Sequence, residues 1–101
     1  MELNVSGRHM EITDAIRAYA SDKVSKLTRY YDRISSIEVV IDKGGQVHEL
    51  EVIVHIERSD PSIVKISGTD VYACIDEAVD KLERKLTDHK DKLRNRKHLA
   101  G

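Results

Sequence analysis

Five histidines, one cysteine and a scatter of carboxylates are the residues in this chain whose types could do chemistry. A metal site needs ligands brought to one face, as in H-x-x-x-H or H-E-x-x-H on a helix. His9, His48, His55, His89 and His98 show neither spacing. His48 and His55 are seven residues apart in a segment of alternating polarity, an odd offset that sends them to opposite faces of a strand. A nucleophilic cysteine needs a base in reach and a lowered pKa. No histidine stands at a helical neighbour position of Cys74, so a small half-buried side chain is expected there. Gly44-Gly45 opens no helix and lacks P-loop spacing, which makes it a turn rather than a phosphate cradle. The acids are spread over strands and helix starts, with no general acid–base pair among them. The expectation is a protein that is not an enzyme, with no resident metal or cofactor and no small-molecule substrate.

Cations are the residues with a pattern. Placing residues 71–94 on a helical wheel, with Ile75 at the origin, puts Val71, Ile75, Ala78, Val79, Leu82, Leu86 and Leu93 within about 60° of one line. Lys81, Arg84, Lys85 and Lys92 fall on one flank, between about 180° and 280°, while Asp76, Asp80 and Glu83 fall on the other. A solvated helix usually mixes its signs. This one aims a basic flank in one direction, which suggests a polyanionic partner. An earlier segment adds Lys23, Lys26, Arg29 and Arg33, and the two sets are expected to form one basic surface across a helix pair. Tyr30 or Tyr31 would then be placed to stack on a base, with Tyr31 favoured as a core residue by its position on the apolar stripe.

The elements that must hold these cations follow from periodicity. Residues 2–8 alternate and read as a short strand. Thr13 is the expected N-cap of a helix over about 14–31, in which Ile16, Ala20, Val24, Leu27 and Tyr31 recur at helical spacing. Ile37, Val39 and Ile41 alternate with Glu38 and Asp42, and a longer alternation runs over Leu50, Val52, Val54 and Ile56. Residues 63–67 form a fourth strand, Gly68 ends it, and Asp70 caps the long second helix. The order β-α-β-β-β-α is an α+β fold. Two helices cover one face of a four-stranded mixed sheet, and Glu38, Asp42, Glu51, His55 and Lys65 lie on the wet face.

Composition bounds the rest. A chain of 101 residues is one domain. We expect that domain over 1–95 and a short flexible tail over 96–101. Charged residues make up 35% of the chain, there is no Phe or Trp, and no apolar run reaches membrane-spanning length. The lone cysteine and the absence of a basic, apolar leader point to the cytoplasm. A net charge of −1 argues against a generic nucleic-acid binder, but its distribution does not. Residues 81–101 hold eight Lys/Arg against three acids (+5), and residues 1–80 hold nine against fifteen (−6). Local charge sets the field at a binding face.

Three motifs carry a resemblance over nearly the whole chain. They are L-N-V-S-G-R-H-M-E-I-T-D-A-I-R at Leu3–Arg17, K-L-T-R-Y-Y-D-R-I at Lys26–Ile34 and D-V-Y-A-C-I-D-E-A-V-D-K-L-E-R-K-L at Asp70–Leu86, the last followed by H-K-D-K-L at His89–Leu93. In these the chain resembles the ribosome hibernation promoting factor family in its short form, whose fold is similar to a double-stranded RNA-binding domain. The resemblance implies binding to the small ribosomal subunit near the decoding centre, on 16S rRNA. It implies occlusion of messenger RNA and of A- and P-site transfer RNA in stationary phase or stress. Ribosome modulation factor would act on the same ribosomes to hold them as inactive dimers. The family's rRNA-contacting positions carry over to Lys23, Lys26, Arg29, Lys81, Arg84, Lys90 and Lys92. Asp88 departs from the family pattern, standing where many members have Lys, and Lys85, where Gln is common, is expected to compensate. Two alternatives are a paralogous inhibitor that blocks the same site but opposes dimer formation, and a free double-stranded-RNA-binding module.

Overall fold

Thr13 fixes the start of the first helix. Its Oγ1 accepts the Ile16 N–H at 3.1 Å, and Asp14 occupies the first turn, where the helix dipole favours an acid. The computed structural model describes the backbone of residues 1–100 and the side chains of residues 1–88. Its elements are β1 (Glu2–Arg8), α1 (Asp14–Ser25), a 3-10 turn (Lys26–Arg29), β2 (Ile34–Gly44), β3 (Val47–Ile56), β4 (Ser62–Gly68) and α2 (Val71–Ala100). The tail expected over 96–101 falls outside the described side chains.

The sheet order is β1-β2-β3-β4, with β1 parallel to β2 and the remaining pairs antiparallel. This is the mixed four-stranded sheet of the α+β reading. The β2–β3 hairpin turns at Gly45, whose φ of 66° is the positive value such tight turns require. Two boundaries moved. The helix expected to reach Tyr31 keeps α geometry only to Ser25 and then tightens, the Lys26 N–H donating to both Lys23 O and Val24 O. β2 extends to Ile34 because a register irregularity at Ser35 lets Ile34 rejoin the ladder opposite Ile56.

Alternation then sorts the faces. Val5, Ile37, Val39, Ile41, Leu50, Val52, Val54, Val64 and Ile66 are buried on the inner face. Ile16, Ala20, Val24 and Leu27 from the first helical segment cover them, with Ile75, Ala78, Leu82 and Leu86 from α2. A fully buried Leu such as Leu82 contributes about 1.5–3 kcal/mol. No polar or charged residue is buried among the described residues. On the outer face Lys65 meets Glu51 at 3.5 Å and His55 meets Glu38 at 3.2 Å, and beyond the end of β1 His9 meets Asp42 at 2.9 Å.

Candidate nucleic-acid interface

Helix α1 is held in place from its first turn, where Arg17 donates to the Val5 carbonyl of β1 at 2.9 Å. Its far end presents the cations. Lys26 and Arg29 occupy positions three apart on the 3-10 turn, and three-residue spacing eclipses side chains in that geometry. Both are exposed. Lys26 reaches Asp22 at 4.0 Å, an i,i+4 contact worth about 0.3–0.5 kcal/mol, so exchanging it for a phosphate costs little. Arg29 has no side-chain hydrogen bond or ion pair among the described residues.

Lys23 has a different setting. Its ammonium lies 3.8 Å from Asp76 of α2 and 5.4 Å from the centroid of the Tyr19 ring. The Tyr19 hydroxyl donates to the same Asp76 carboxylate at 2.6 Å, and the Tyr19 ring meets Tyr72 edge to face at 5.0 Å. The Asp76 hydrogen bond, then burial, then the charges of Asp76, Asp70 and Asp22 push the Tyr19 phenol up to about 12. Lys23 is therefore partly spent on joining the two helices. Sequence reasoning missed Tyr19 and Asp76 as its partners; the signal available was that Asp76, Asp80 and Glu83 share one flank of α2.

That flank changes the shape of the interface. Asp76 faces α1, while Lys85 on the opposite flank donates to the Ile63 carbonyl of β4 at 2.7 Å. The acidic side of α2 thus lies along the helix seam and part of its basic side lies along the outer strand. Along the surface expected across the helix pair, Lys26, Arg29, Lys81 and Arg84 are exposed, and Asp76 occupies the seam beside Lys23. Lys81 pairs with Glu77 at 3.8 Å, again a weak i,i+4 contact, and Arg84 is exposed without a side-chain partner among the described residues. Lys85 and Asp88 line a shallow groove with Asp60 and Ser62, so Lys85 sits among acids with its ammonium already bonded. Lys90 and Lys92 lie on the α2 backbone, outside the described side chains.

Cys74 is more buried than the wheel suggested, at 3% exposure, and burial, then Glu77 and Asp70, push its thiol up, away from the reactive thiolate. Tyr31 is in the core and Tyr30 is exposed. No group of three His, Cys, Asp or Glu residues suited to a metal occurs among the described residues. No helix among them is long and apolar enough to cross a membrane.

A mixed sheet under two helices, with cations concentrated on the helical side, defines the class by its fold. Residues 3–94 match the family described as Sigma 54 modulation protein / S30EA ribosomal protein, and the chain belongs to that family. It is 39% identical over 94 residues to the ribosome hibernation promoting factor of Escherichia coli K12, covering 93% of this chain and 98% of that one. The protein of the same name from Azotobacter vinelandii is 36% identical over 92 residues, covering 91% and 85%. Among solved structures, the N-terminal domain of Protein Y from Thermus thermophilus superposes with a TM-score of 0.80 at 36% identity, over 88% of this chain and 99% of that one. A ribosomal subunit interface protein from Coxiella burnetii shares the fold, with a TM-score of 0.83 at 22% identity over 90% and 99%.

Proposed function

We propose that this chain is a ribosome hibernation factor. It binds the small ribosomal subunit near the decoding centre, fills the channel used by messenger RNA and the A- and P-site transfer RNAs, and with ribosome modulation factor favours inactive ribosome dimers. The observation that carries this reading is end-to-end similarity to a protein named for promoting ribosome hibernation, at 39% identity over 93% of this chain. The geometry supports a mechanism of occlusion. A small rigid domain fills a groove built for nucleic acid, while Lys26, Arg29, Lys81 and Arg84 neutralise rRNA phosphates. Lys23 contributes from the helix seam, and Lys85, Lys90 and Lys92 extend the α2 side of the same interface.

Charge reversal at one exposed cation of each helical segment tests it. The double variant Lys26→Glu, Arg84→Glu removes no buried side chain, so its circular dichroism and melting temperature should match those of the parent. Its co-sedimentation with small subunits should be lost. A folded double variant that still sediments with the subunit sinks the proposed surface.

A further inference from the structure

Four tyrosines make up all the aromatic residues of the chain, and three of them are committed within the fold. Tyr31 is buried at 6% exposure, and Tyr19 and Tyr72 meet edge to face. Tyr30 is 44% exposed, and its side chain makes no hydrogen bond or ring contact among the described residues. The backbone beneath it is nonetheless fixed. The Tyr30 N–H donates to Leu27 O at 3.1 Å, Leu27 is fully buried, and Tyr31 anchors the next residue in the core. The ring is thus presented to solvent from a rigid turn, with only its own rotamers left to choose. Lys26 and Arg29 precede it on that turn and the exposed Arg33 follows it, with Asp32, the Asp22 already facing Lys26, and the exposed Glu57, whose N–H donates to Arg33 O, as the neighbouring acids.

A held aromatic face beside cations fits an unstacked nucleobase with its flanking phosphates. An apolar protein contact would need a wider apolar patch, and the other large exposed apolar side chains (Met1, Val47, Ile63, Tyr72) belong to other elements. We propose that Tyr30 is a stacking platform for an unpaired RNA base, with Lys26 and Arg29 on the adjoining phosphates. This deepens the ribosome-binding reading and rests on it.

Stacking and phosphate contact leave different signatures. Stacking releases no counterion, whereas each phosphate contact adds about 0.7–0.9 to the salt slope of the binding constant. The test measures affinity for purified small ribosomal subunits across a salt series for the wild type and for Tyr30→Ala, Tyr30→Phe, Tyr30→Leu and Arg29→Ala. Tyr30→Ala should bind roughly 5- to 140-fold more weakly with the slope unchanged, the loss expected for one stacked base. Tyr30→Phe should bind like the wild type, Tyr30→Leu should resemble the alanine variant, and Arg29→Ala should lower the slope. Wild-type affinity in Tyr30→Ala overturns the proposal. So does full affinity in Tyr30→Leu, which would mean apolar contact rather than stacking, or equal loss in Tyr30→Phe and Tyr30→Ala, which would assign the role to the hydroxyl. A wild type that does not bind small subunits at all removes the function itself, an outcome distinct from a wild type that binds and a Tyr30→Ala variant that binds equally well.

Discussion

The Tyr19 hydroxyl joins the helices by donating to Asp76 while Lys23 approaches the same carboxylate. The bond needs the neutral phenol, and three acids oppose its ionisation. Its pKa in the folded protein lies near 12, above the ordinary 10.0. The unfolded chain therefore ionises first as pH rises, and the folded state loses stability between those values. Below pH 10 the contribution is complete, and through 12 it disappears. Tyr19→Phe, measured by denaturant melts along that range, should show a shallower alkaline decline than the wild type. Parallel curves would mean that the Asp76 bond does not couple folding to the phenol. The cluster also shows what a sequence can hide at the scale of one residue. Periodicity marks Lys23 as a flank cation and Asp76 as a flank acid, but their meeting depends on how two helices lie side by side, which neither helix encodes alone.

Among the elements, α2 shows which parts of the pattern were legible. Its apolar stripe, its cap and its split flanks follow from a rotation of about 100° per residue, and Asp70 does accept the Tyr72 N–H at 3.0 Å. The wheel also put Cys74 and Asp76 about 100° to either side of Ile75, which made both rim positions. The sheet breaks that symmetry. Cys74 turns toward the end of β4, where Gly68 leaves room, while Asp76 remains in the open seam beside α1. The end of α1 was illegible for a related reason. Leu27 and Tyr31 are both in the core, as a continuous helix would place them, yet a 3-10 turn delivers Leu27 there as well. A side chain on Gly68 would set its Cβ 2.9 Å from Cys74 Sγ, closer than van der Waals contact allows. Gly68→Ala should therefore destabilise the domain by about 1–3 kcal/mol, the usual penalty of overpacking. Adding Cys74→Ala should return part of that loss, a coupling that a double-mutant cycle reads directly. Simple additivity of the two variants would show that the helix shifts rather than clashes.

The whole molecule is close to neutral, and under the proposed function it must still approach a polyanion. Its charge is separated along the chain, −6 over residues 1–80 and +5 over residues 81–101. On the outer sheet face Lys65 pairs with Glu51, which softens the repulsion there, and His55 hydrogen-bonds Glu38. Much of the positive charge also follows the described core in sequence. Every buried residue described lies at or before Leu86, whereas five cations (Lys90, Lys92, Arg94, Arg96 and Lys97) and one acid (Asp91) come after Asp88. Stability and binding should therefore come apart on truncation. A chain ending at Asp88 should unfold cooperatively at a denaturant midpoint close to that of the full chain, because it keeps the described core. Its affinity for small ribosomal subunits should fall at physiological salt, and its salt slope should shrink by about 0.7–0.9 for each phosphate it no longer neutralises. An unchanged slope would take Lys90 and Lys92 out of the proposed interface and leave it to Lys26, Arg29, Lys81 and Arg84. A large drop in midpoint would instead assign the outer turns of α2 to the core, and charge alone would no longer describe what they do.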